Sequence, residues 1–139
     1  MPKGKMLLIA LCVLLLLGVS LWLYWETDLP LMEQIPDEEW VKLEFSIGEP
    51  GADEYGIIPP ALDAVLTAIA DTRVTRHSEI RGLSYPYFRL VLYKGEAYPT
   101  LIYVQENGWV TIAEELDFDH YRYYEGGEEL YQALLKLTA

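Results

Sequence analysis

Hydrophobic and polar positions divide the chain into two unequal parts. Residues 6–25 contain no charged side chain, and apolar types fill almost every position. A helix over those 20 residues rises about 1.5 Å per residue, roughly 30 Å in all, which matches the hydrocarbon core of a bilayer. Trp22, Tyr24 and Trp25 close the run with rings suited to the membrane–water boundary. Beyond them the pattern shortens. Val41, Leu43, Phe45 and Ile47 alternate with Lys42, Glu44 and Ser46, the two-residue period of a strand with one buried face over 40–47. Leu62, Val65, Leu66 and Ile69 then follow at helical spacing behind Pro59 and Pro60, predicting a helix over 60–71 whose first turn tolerates proline.

Alternation returns further on. Phe88, Leu90 and Leu92 predict a strand over 87–93, and residues 100–105 a second. Asn107-Gly108 is a hairpin signal because both residues accept positive φ, so 109–113 is read as a returning strand and 121–124 as another. Leu130, Leu134 and Leu137 place one apolar stripe on a closing helix over 128–137, with Glu128 and Glu129 where the helix dipole favours acid. Residues 48–56 read as a loop broken by glycine and proline, and Val74 marks a short edge strand within 73–81. Residues 26–39, with Pro30, Pro36 and Asp37-Glu38-Glu39, read as a linker with little structure of its own. The expected division is a tail at 1–5, an anchor at 6–25, this linker, and one domain at 40–139. The expected fold class is α+β, an antiparallel sheet of about four or five strands with two helices on one face.

Charge orients the anchor. Lys3 and Lys5 precede it, Glu26, Asp28 and Glu33 follow it, and the next basic residue is Lys42. The asymmetry predicts a single-pass protein of the cell membrane, with the N-terminus cytoplasmic and the C-terminal domain outside. A cleaved signal peptide is the rival reading, since Gly18-Val19-Ser20 offers small residues for processing after Ser20. Cys12 is the single cysteine and lies within the apolar run, so the outer domain is expected to hold together without disulfides. Leaving out Lys3 and Lys5, 22 acidic side chains face 8 basic ones, a net charge of −14. Such a surface repels phosphate backbones, which argues against nucleic acid as a partner and suits a protein with a basic face.

Candidate chemistry is sparse. Asp117, Asp119 and His120, preceded by Glu114 and Glu115, form the densest set of metal-ligand types, with carboxylates for Ca²⁺ and an imidazole for a transition metal. A solvated acidic turn accounts for the same residues. His77-Ser78-Glu79 has the residue types of a hydrolase triad, but no nucleophile elbow surrounds a serine. Gly126-Gly127 lacks the lysine of a phosphate loop. No enzyme activity and no cofactor are expected. Tyrosines crowd the predicted sheet, and Tyr87, Tyr93, Tyr103 and Tyr123 are candidates for an amphipathic interaction surface. Cross-strand packing explains the same enrichment.

The layout has a likeness. The strand Val41-Lys42-Leu43-Glu44-Phe45, a helix over 61–70 ending in a Thr/Arg stretch, an Asn-Gly hairpin, and Tyr123-Tyr124 before the helix Glu129-Leu130-Tyr131-Gln132-Ala133-Leu134-Leu135 come in that order. Over roughly 41–137 this resembles the small extracytoplasmic domains of unknown function found in Firmicutes lipoproteins and membrane-anchored proteins. It departs from the lipoproteins at Cys12, where bulky Leu11 precedes the cysteine. The resemblance implies an exported bacterial protein and brings no catalytic residues. Together these readings lead to an expected role as a protein-interaction module, with a small-ligand or cation receptor as the alternative.

Overall fold

The computed structural model describes residues 2–36, 39–49, 52–56, 60–77, 82–95, 98–114 and 121–138. Its first element is α1 (Lys3–Glu26), a 24-residue helix with no buried residue, long and apolar enough to cross a membrane. The rest is α+β. Strands β1 (Leu29–Pro30), β2 (Lys42–Glu49), β3 (Ala52–Gly56), β4 (Arg73–His77), β5 (Tyr87–Tyr93), β6 (Thr100–Gln105), β7 (Val110–Glu114) and β8 (Tyr121–Glu125) form one antiparallel sheet in the order β1-β4-β8-β7-β6-β5-β2-β3. Seven of these strands make its body, and two-residue β1 extends one edge. The helices α2 (Leu62–Ala70) and α3 (Glu128–Leu137) and a 3-10 turn (Leu31–Gln34) complete the fold.

Strand β5 shows how the apolar pattern selects one face. Phe88, Leu90 and Leu92 pair across to Val104, Ile102 and Thr100 on β6, and all six are buried. On β7, Val110 and Ile112 continue the layer. Helix α3 lies over β5 and β6, with Leu130 and Leu134 buried and the Tyr131 ring 4.9 Å from that of Phe88. Helix α2 contributes Val65 and Ile69, both fully buried, and rests against α3 and the 3-10 turn. The β6–β7 hairpin turns at Gly108, whose φ of +95° is the left-handed conformation that Asn-Gly favours. A cis Tyr85–Pro86 peptide leads into β5.

Four expectations are corrected. The sheet has eight strands instead of four or five, because 52–56, expected as loop, pairs with β2, and β4 and β1 add a further side. Val74 lies on an inner strand, between β8 and β1, and is buried. The helices are also placed differently: α3 takes the sheet, while α2 sits beside it with the 3-10 turn as an additional partner.

The largest departure is residues 26–39. They carry β1 and the 3-10 turn, and Leu31 and Ile35 enter the core at 0% and 5% exposure. The turn is also tied to β8. Arg122 Nη2 donates to the Gln34 carbonyl at 2.6 Å and pairs with Glu114, and the Tyr124 hydroxyl donates to Gln34 Oε1 at 3.4 Å. Burial of these two aliphatics holds the segment down together with the β1–β4 pairing and the bonds to Gln34. Burying a side chain of that size is worth about 1.5–3 kcal/mol, which offsets ordering of roughly one or two residues.

Candidate interaction surface

Strand alternation sends a second set of side chains to the sheet face opposite α3. In register, Ser46 on β2, Arg89 on β5, Tyr103 on β6, Thr111 on β7, Tyr123 on β8 and His77 on β4 form one row across the sheet. At about 4.8 Å per strand the row spans roughly 24 Å. Beside it runs a parallel row of Glu44, Val91, Leu101, Ala113 and Tyr121. The small residues Thr111 and Ala113 are buried between larger neighbours on β6 and β8, and Tyr103, Tyr121 and Tyr123 are half-buried.

Hydrogen bonds and ring contacts fix these side chains. Arg89 Nε donates to the Tyr103 hydroxyl at 3.3 Å. The Tyr87 and Tyr103 rings meet edge to face at 6.0 Å, and Tyr85 stacks on Tyr87 at 5.4 Å. At one end of the row, His77 Nε2 lies 2.8 Å from Glu125 Oε1, and its ring meets Trp109 edge-on at 4.3 Å. Burial raises the Tyr121 phenol above its ordinary value of 10, and the phenols of Tyr103 and Tyr123 push the same way. Near the first row, Gln105 is 1% exposed; its Oε1 accepts from the Ser84 amide at 3.1 Å, and its Nε2 has no partner among the described residues.

The four candidate tyrosines do not form one patch. Tyr103 and Tyr123 share a row on either side of Thr111. Tyr87 is 5% exposed, with its ring over Gly48, and serves the packing of the face more than its outer surface. Tyr93 stands at the far end of β5 with the Lys42 ammonium 5.1 Å from its ring centre. Burial raises its phenol, as does a hydrogen bond to Glu44. Asp117, Asp119 and His120 lie outside the described residues, as do Ser78 and Glu79. Among the described residues no group of three or more His, Cys, Asp or Glu side chains is placed to hold a metal ion.

The sequence places Tyr121 among the sheet tyrosines without singling it out, and does not point to Arg89 or the His77–Glu125–Trp109 group. Periodicity did place Arg89 opposite the core, but neither pattern nor spacing links His77 to Glu125; the pairing of β4 with β8 does. A separate cleft of about 530 Å³ opens where α2, α3 and β4 meet, with Asp71, Arg73, Glu128 and Glu129 around Ala68 and Ala133. Comparison of the chain with protein-family models, with curated proteins and with solved structures finds no match.

Proposed function

We propose that the chain is a single-pass protein of the bacterial cell membrane, its N-terminus cytoplasmic, whose outer domain is a protein-interaction module and not an enzyme. The partner we propose is an envelope protein with a basic surface, met through the sheet face opposite α3. The observation that carries this reading is the row Arg89, Tyr103 and Tyr123 with Tyr121 beside it. These are half-buried side chains on the sheet face opposite α3, and Arg89 donates to the Tyr103 hydroxyl. Rigid tyrosines offer large contact area at small entropic cost, and arginine adds directional donors. The excess of acid over base in the whole chain, −12, supports a basic partner by drawing it in from a distance.

Photo-crosslinking in cells tests the reading. A benzoylphenylalanine at Tyr123 is expected to capture a defined protein, and one at exposed Gln132 on α3 is not. With the captured protein in hand, Tyr103→Ala is expected to weaken binding at least tenfold, the scale of an aromatic anchor lost from an interface centre. Identical capture patterns at Tyr123 and Gln132 would sink the proposal.

The cleft between α2 and α3 favours a second reading, a receptor for a small cationic ligand. Three carboxylates and one guanidinium surround it. Under that reading spermidine or Ca²⁺ raises the melting temperature, since a ligand that binds only the folded state stabilises it, and Glu129→Gln removes the rise.

A further inference from the structure

The junction between α1 and the sheet has the geometry of a fixed joint. Only Thr27 and Asp28 separate α1 from β1. Strand β1 pairs antiparallel with β4, Leu29 opposite Val74 and Pro30 opposite Arg73, and the Leu31 amide donates to the Thr72 carbonyl at 2.9 Å. Being antiparallel, β4 runs back alongside the end of the helix it followed by some fifty residues of chain. Its partners therefore step backwards in sequence. Arg73 Nη2 donates to the Asp28 carbonyl at 3.1 Å, and Arg76 Nη1 donates to the Tyr24 carbonyl at 3.1 Å.

Arg76 does two things there. The last four carbonyls of a helix lack intrahelical donors and carry its negative dipole end, which favours a cation. The Leu23 carbonyl is satisfied locally by the Thr27 amide and hydroxyl. Tyr24 is served from across the fold, and the same guanidinium lies 4.0 Å from the Tyr24 ring centre. Stacking and capping together constrain both the rotation of α1 about its axis and its tilt against β4.

We infer that α1 and the sheet move as one body through this joint, so that rotation or tilt of the membrane helix is passed directly to the outer domain. A protein displayed on a loose tether presents its surface in all directions. One mounted in this way keeps a fixed azimuth, and a change in the helix re-aims the face. The inference rests on α1 remaining attached to the mature chain and is independent of which partner the domain meets.

The test uses the full chain in phosphatidylcholine nanodiscs, with nitroxides at Leu14 on α1 and Asn107 on the β6–β7 turn, both exposed. Dipolar spectroscopy is expected to show a single narrow distance distribution. Six Gly/Ser residues inserted between Thr27 and Asp28 leave every domain residue unchanged and are expected to broaden it severalfold. The double substitution R73A/R76A is expected to broaden it towards the same limit, and R76K to fall between, since an ammonium keeps the charge but loses the planar stack. A parent distribution already as broad as that of the insertion overturns the inference. So does intact-mass measurement showing that the mature chain has lost Leu14. Should R73A/R76A fail to fold, the comparison of parent with insertion still decides.

Discussion

At the scale of single residues, Gly108 and Tyr124 carry consequences that sequence pattern alone does not show. Gly108 holds φ +95°, and a Cβ there would run into the Glu128 carboxylate at the start of α3. Turn conformation and helix docking thus meet at one residue. Gly108→Ala is expected to cost about 1–3 kcal/mol, combining the left-handed penalty with displacement of Glu128, and urea denaturation would measure it. Tyr124 is 3% exposed, and burial raises its phenol above the ordinary value of 10, although Arg122 and Arg76 pull it back. A raised phenol stabilises the fold below pH 10 and loses that contribution as the pH climbs through its folded value, because the unfolded chain ionises first. Alkaline unfolding is therefore expected to set in above pH 10 and to become shallower in Tyr124→Phe, followed by circular dichroism across a pH series.

At the scale of elements, the informative piece is the stretch that joins α1 to the body of the sheet. Pro30, Pro36 and an acidic run made it look like a linker, and local composition contains nothing to correct that. Leu31 and Ile35 do correct it, because both are buried within the core that α2, α3 and the sheet share. Leu31→Ala is expected to cost about 2–5 kcal/mol, the range for a fully buried leucine, where a true linker residue would cost almost nothing. A chain beginning at Trp40 lacks β1 and the 3-10 turn and exposes their seat. It is expected to melt well below one beginning at Glu26, or to aggregate, and scanning calorimetry on the pair would show it. The elements with long-range pairing and clean periodicity were the legible ones: β5, β6, β7 and α3 are close to where alternation and the leucine stripe placed them. Strand β3 was not, since Ala52-Asp53-Glu54-Tyr55-Gly56 has no alternation and is strand only through its pairing with β2.

For the whole molecule, charge and the open face act together. A domain with 22 acidic residues in its chain repels itself at low salt, and its stability is expected to rise as salt screens that repulsion. The melting temperature should climb by a few degrees between 10 and 200 mM NaCl, as the Debye length falls from roughly 30 to below 10 Å. The same screening should slow association with a basic partner while leaving dissociation nearly constant, which separates steering from contact energy in a stopped-flow experiment.

What the sequence determined by itself was whatever rests on local chemistry: the apolar helix over 6–25, the strand and helix periods, the Asn-Gly turn and the acidic balance. Each depends on neighbours within a few positions, and such patterns survive in one dimension. Tertiary structure alone decided the strand order, the burial of Leu31, the row joining Arg89 to His77, and the clasp of Arg76 on Tyr24. These depend on groups far apart in the chain meeting in space, 52 positions for Arg76 and Tyr24, and a guanidinium is chemically indifferent to which carbonyl it caps. Only the path of β4 beside α1 makes that choice.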